Sequence, residues 1–101
     1  MPHKKPHDRI DETIHQRTRL AIMATLAGVD SLDFNELKAT LGLTDGNLSA
    51  HLTALAKAGY VRIRKSFRGK KPRTTVAQTP QGRQALTDYV DLLQEILLKA
   101  K

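Results

Sequence analysis

At Gly59 the spacing of apolar residues changes. Before it the large apolar side chains recur every three or four residues; after it they alternate with basic ones in Tyr60-Val61-Arg62-Ile63-Arg64. A period of 3.6 giving way to a period of 2 means a helix that runs into a strand buried on one face. The helix is bounded at both ends. Thr44 is an N-cap residue type, and Gly59 supplies a left-handed stop. Between them, from Asp45 to about Ala58, Leu48, Leu52 and Leu55 form a core stripe. The rest of the helix carries Asn47, Ser49, Ala50, His51, Thr53 and Ala54, without the Glu and Lys that usually solubilise an exposed helix. Such a surface suits a partner other than water.

Around this pair the remaining elements are legible in outline. Ile10, Ile14, Leu20, Ala21, Ile22, Met23, Ala24 and Leu26 recur at helical spacing, predicting one helix from Asp8 to about Ala27, stopped by Gly28. Asp33-Phe34-Asn35-Glu36 has the form of a capping arrangement, with the Asp33 carboxylate accepting from an early amide. A short helix follows from Phe34 to Leu41 and buries Phe34, Leu37 and Leu41. Only Gly42, Leu43 and Thr44 separate it from the next, a helix-turn-helix geometry whose second helix can enter a major groove. Beyond the first strand, Arg68-Gly69-Lys70-Lys71-Pro72 is a turn signal, and Arg73 to Gln78 returns as a second strand. Thr79-Pro80 then opens a last helix that continues to the end of the chain. The expected class is mainly α with a small β-hairpin (α+β). At 101 residues one core is expected, over 8–101, with residues 1–7 as a disordered basic tail.

Charge narrows the partner. The net charge is +7, yet all ten carboxylates lie outside the stretch from Gly46 to Thr87, which holds nine lysines and arginines; the rest of the chain nets to −2. A local excess of that kind points to a polyanion, either nucleic acid or an anionic membrane surface. Membrane association needs a basic amphipathic helix, and these cations sit on a hairpin, so no membrane partner is expected. No apolar run approaches the ~20 residues of a span, and no apolar stretch follows the amino-terminal lysines as a secretory signal requires.

Catalytic chemistry finds no footing. Cysteine is absent, which excludes disulfide staples, thiolate zinc sites and a thiol nucleophile and fits a cytoplasmic setting. His3 and His7 fall in the tail, and His15 stands alone. Ser49 and His51, two apart on a helix, point in different directions and cannot act as nucleophile and base. No phosphate loop, dinucleotide fingerprint or zinc spacing is present. The expectation is no enzyme, no metal and no cofactor.

Three segments carry a family resemblance: Leu43-Thr44-Asp45-Gly46-Asn47-Leu48-Ser49-Ala50-His51-Leu52-Thr53-Ala54-Leu55, then Ala58-Gly59-Tyr60-Val61, then Gln78-Thr79-Pro80-Gln81-Gly82-Arg83. In this order the chain from about Leu20 to Leu86 resembles the winged helix-turn-helix domain of MarR- and ArsR-type transcriptional regulators, small stand-alone type. The resemblance implies a homodimeric, sequence-selective regulator of transcription that binds double-stranded DNA, with a long C-terminal dimerisation helix. It implies that the recognition helix is read through Thr44, Asn47, Ser49, Ala50, His51 and Thr53, with Ser49 and His51 approaching the backbone. The wing residues Arg62, Arg64, Lys65, Arg68, Lys70, Lys71 and Arg73 would contact phosphates, with Arg68, Lys70 and Lys71 along them or in the minor groove. The chain departs from related domains at Ala50 and Ala56, which are often basic and acidic there. Without an arginine at Ala50 there is no bidentate guanine reader, leaving Asn47, an adenine-capable amide, and DNA shape.

The last helix is apolar nearly all round, more than a core of this size can cover. Leu86, Val90, Leu93 and Leu97, at steps of four and three, are expected at a twofold seam that sets two recognition helices about 34 Å apart. The alternative is an intramolecular pairing with the first helix. A second function stays open too: a winged helix that docks a protein through its third helix, with the charge serving solubility. An effector small molecule, if any, leaves no readable motif.

Overall fold

The computed structural model describes residues 6–100. After a 3-10 turn at Pro6–Arg9 come α1 (Glu12–His15), α2 (Arg17–Leu26), β1 (Leu32–Asp33), α3 (Phe34–Leu41), α4 (Asp45–Lys57), β2 (Val61–Arg68), β3 (Lys71–Gln78) and α5 (Pro80–Lys99). This is the winged-helix arrangement. The expectation of a tail falls outside the described residues for residues 1–5, while Pro6 and His7 belong to the 3-10 turn.

The core is assembled from every element the periodicity singled out. Ile22, Met23 and Leu26 of α2 meet Leu37 of α3 and Leu48, Leu52 and Leu55 of α4, and Val61 and Val76 close the cluster from the sheet. Each such side chain contributes about 1.5–3 kcal/mol by leaving water. Phe34, Leu41 and Leu86 pack half-buried against this cluster.

Four expectations need correction. The first helix is not continuous from Asp8. Gln16 has extended backbone (ψ 127°) and serves as both the C-cap of α1 and the N-cap of α2, its side chain accepting from the Arg19 amide at 2.8 Å. Asp11 caps α1 by accepting from the Thr13 amide, and Ala24, expected on the apolar face, is exposed. Asp33 precedes α3 but makes no side-chain cap; its carboxylate takes Nε of Arg73 at 2.7 Å instead. The sheet has a third strand, β1, in the order β1-β3-β2, paired through Leu32 with Val76 and Asp33 with Thr75. The hairpin is also longer and its tip tighter than expected: β2 and β3 pair from Val61 with Gln78 to Arg68 with Lys71, leaving only Gly69 and Lys70 as the loop. Gly69 takes φ 65° at the first loop position, the glycine position of a II′ turn. Pro72 tolerates its place in β3 because the pair with Phe67 is not hydrogen-bonded; its missing donor points away from β2, beyond the end of β1.

The last helix is pinned at the junction of α4 and β2. Thr79 caps it by accepting from the Gly82 amide, and the same hydroxyl donates to the Gly59 carbonyl at 2.6 Å. The Thr79 amide donates to the Tyr60 carbonyl at 3.1 Å. Farther along, Tyr89 and Leu92 are buried on the side where α1 packs, Ile14 is fully buried, and His15 Nδ1 lies 3.0 Å from the Tyr89 hydroxyl. The intramolecular pairing therefore covers one side of α5. Val90 and Leu97, 44% and 60% exposed, and the neighbouring Leu98 are left on another.

Candidate nucleic-acid interface

Helix α4 owes its orientation to three leucines. With Leu48, Leu52 and Leu55 buried, Asn47, Ser49, Ala50, Thr53 and Lys57 are exposed, while His51 is half-buried. Two of the hydroxyls are already engaged locally: Thr44 accepts from the Asn47 amide at 3.1 Å as N-cap, and Thr53 donates to the Ser49 carbonyl at 2.9 Å. Among the described residues, the side chains of Asn47, Ser49 and the half-buried His51 make no such bond. Asp45, the one acid between Leu37 and Thr87, is held by Lys38 Nζ at 2.7 Å. That neutralises the single negative charge at the start of the helix, a device the sequence did not reveal because Lys38 lies on the preceding helix.

The wing stands beside this helix. Ser49, Leu52 and Thr53 of α4 and Ile63, Lys65 and Thr74 of the sheet line a groove of ≈ 310 Å³, with Phe34 at its side. Helix α4 and the hairpin thus present adjoining surfaces. Strand alternation, fixed by the pairing of Val61 with Gln78, then sorts the cations. Lys65 shares the face of Val61, Ile63 and Phe67 and turns toward α4. Arg62 and Arg64 share the opposite face with Thr75 and Ala77, beside Asp30 and Ser31. Arg68 and Lys71 flank the loop and Lys70 is at its apex. Arg73 is committed to Asp33, whose carboxyl is held below its ordinary value first by that hydrogen bond, with burial opposing it and the Arg73 charge adding to it. The seven wing cations are therefore not equivalent: Lys65 is at the groove, Lys70 at the apex, Arg68 and Lys71 are at the tip on the face of Arg62 and Arg64, and Arg73 ties that face to Asp33.

Among the described residues no cluster of His, Asp and Glu could hold a metal, and no helix is long and apolar enough to cross a membrane. Residues 18–97 match the winged helix DNA-binding domain. The chain belongs to that family. It is 40% identical over 77 residues to an uncharacterised protein of Methanocaldococcus jannaschii, covering 75% of this chain and 84% of that one. Among solved structures, a transcriptional regulator homologue from Pyrococcus horikoshii OT3 superposes with a TM-score of 0.84 at 26% identity, over 90% of both chains. A MarR-family regulator from Porphyromonas gingivalis W83 shares the fold at 18% identity, with a TM-score of 0.71 over 93% of this chain and 91% of that one. The fold shared with a transcriptional regulator homologue and with a MarR-family protein agrees with the winged-helix resemblance.

Proposed function

We propose that this winged-helix protein is a sequence-selective regulator of transcription that binds double-stranded DNA as a homodimer in the cytoplasm, occupying a site that other proteins need. The observation that carries the reading is the adjoining of two unlike surfaces: an uncharged, small-residue face on α4 and an acid-free hairpin with Lys65, Arg68, Lys70 and Lys71 at its groove and tip. A duplex offers the complement to both, base edges in a major groove and phosphates beside it. Asn47 would read a base, Thr44, Ser49, Ala50, His51 and Thr53 would shape the fit, and the tip cations would meet phosphates. Arg62, Arg64 and Arg73, on the far face, would act through the electrostatic field rather than by contact. The protein does no chemistry on DNA in this account.

The dimer seam would be the stripe of α5 that α1 leaves open. Val90 and Leu97 are exposed and Leu93 half-buried, while Leu86, half committed to the core, marks where the seam begins. Selection of fragments from a random duplex pool tests the whole reading: a palindromic motif with half-sites one turn apart supports it. Recovery of no motif, with no binding to random duplex at low salt, would favour the protein-docking alternative.

A further inference from the structure

The hairpin places its largest side chain where the other described residues leave it three-quarters exposed. Along the α4-facing side of β2, Val61 is 4% exposed, Ile63 38% and Phe67 75%. The strand advances about 3.3 Å per residue, so Phe67 lies roughly 20 Å beyond Val61 and past the end of the core. A half-buried strand would place a polar residue there. Instead Phe67 has Pro72 directly opposite it on β3, next to the tip, with Lys65 on the same face, Lys70 at the apex, and Arg68 and Lys71 as the adjoining pair on the other face. An exposed aromatic on a basic hairpin tip, with no carboxylate from Tyr60 to Gln78, does not suit an apolar or basic protein partner. The charge admits a polyanion, and the apolar pair needs a polyanion with an apolar interior. Stacked base pairs seen from the minor groove are such an interior, and phenylalanine and proline are side chains that wedge between them.

We infer that Phe67, backed by Pro72, is a minor-groove wedge that partly unstacks one base step at the edge of the site. The inference rests on the DNA-binding reading above and adds to it a specificity-determining residue that reads deformability. Pyrimidine–purine steps unstack most readily, so the wedge would favour TA or CA/TG at one fixed position flanking each half-site. Its contribution is separable from that of the cations: a wedge adds no counterion release, so it changes affinity and not the salt slope.

The test compares wild type with Phe67→Ala and Phe67→Leu, each selected on the same random duplex pool and then titrated on the recovered duplex by fluorescence anisotropy at several salt concentrations. Wild type is expected to enrich a pyrimidine–purine step at a fixed offset from the half-site. Phe67→Ala should keep the half-site motif, lose that step, and bind the recovered duplex about tenfold more weakly with the same salt slope; Phe67→Leu should fall between. An unchanged thermal midpoint, expected for a side chain this exposed, shows that the loss is not unfolding. If Phe67→Ala binds within twofold and enriches the same step, the wedge is wrong while the regulator stands. If Phe67→Ala instead dissolves an oligomer seen by sedimentation, the ring covers a second copy and the wedge is again wrong. If wild type recovers no motif and binds no duplex, both proposals fall together.

Discussion

Tyr60 ties three parts of the protein with one residue. Its carbonyl accepts from the Thr79 amide at the head of α5, and its hydroxyl donates to the Asp11 carboxylate in front of α1. That hydrogen bond, then burial and the nearby negative charge, push its hydroxyl up to about 12 from an ordinary value of 10. A phenol whose pKa is raised by folding contributes stability that is complete below pH 10 and is lost as pH rises through 12. Thermal melts across this range should show wild type losing midpoint faster than Tyr60→Phe, which should itself be about 1 kcal/mol less stable at neutral pH. Gly82 marks the same joint. A Cβ there would lie 2.1 Å from the Tyr60 carbonyl oxygen, which is backbone and cannot swing aside. Gly82→Ala should cost about 2 kcal/mol or more in a denaturant titration, a large penalty for the smallest of substitutions.

At the scale of elements, α4 and the wing divide the work of recognition in the proposed account. Asn47→Ala should lower affinity for the selected duplex by about 1–3 kcal/mol and relax selectivity at one base position, leaving binding to random duplex unchanged; parallel anisotropy titrations on the two duplexes measure this. Much of the arrangement of these elements was legible in the sequence. Leu48, Leu52 and Leu55 fixed which way α4 turns, and Thr44 and Gly59 fixed where it starts and stops. What stayed hidden depended on contacts between distant residues. Asp33 reads as a cap because nothing local shows that Arg73, forty residues on, takes its carboxylate. Gln16 breaks the first helix by capping with a side chain that ordinarily favours helix. Two residues of β1 are too few to display a period. Pro72 reads as turn because its neighbour on the open side is absent only in three dimensions.

The whole molecule is elongated, 56 × 27 × 23 Å, with a radius of gyration of 15.5 Å where a compact chain of this length has about 13 Å. The projecting hairpin and the uncovered side of α5 are the two surfaces that a lone chain leaves unfinished. In the proposed account a twofold partner would complete the second. Sedimentation should give twice the monomer mass, and Val90→Glu with Leu97→Glu should return the monomer without lowering its helical content. Duplex would complete the first, and here the account is most exposed to a single measurement. Binding of wild type and of Lys70→Ala/Lys71→Ala to one duplex, titrated against salt, should give two straight lines of log affinity against log salt. The double variant's line should be shallower by about two units, since each phosphate contact contributes about 0.9. Parallel lines would contradict the claim that the hairpin tip lies on the duplex beside α4.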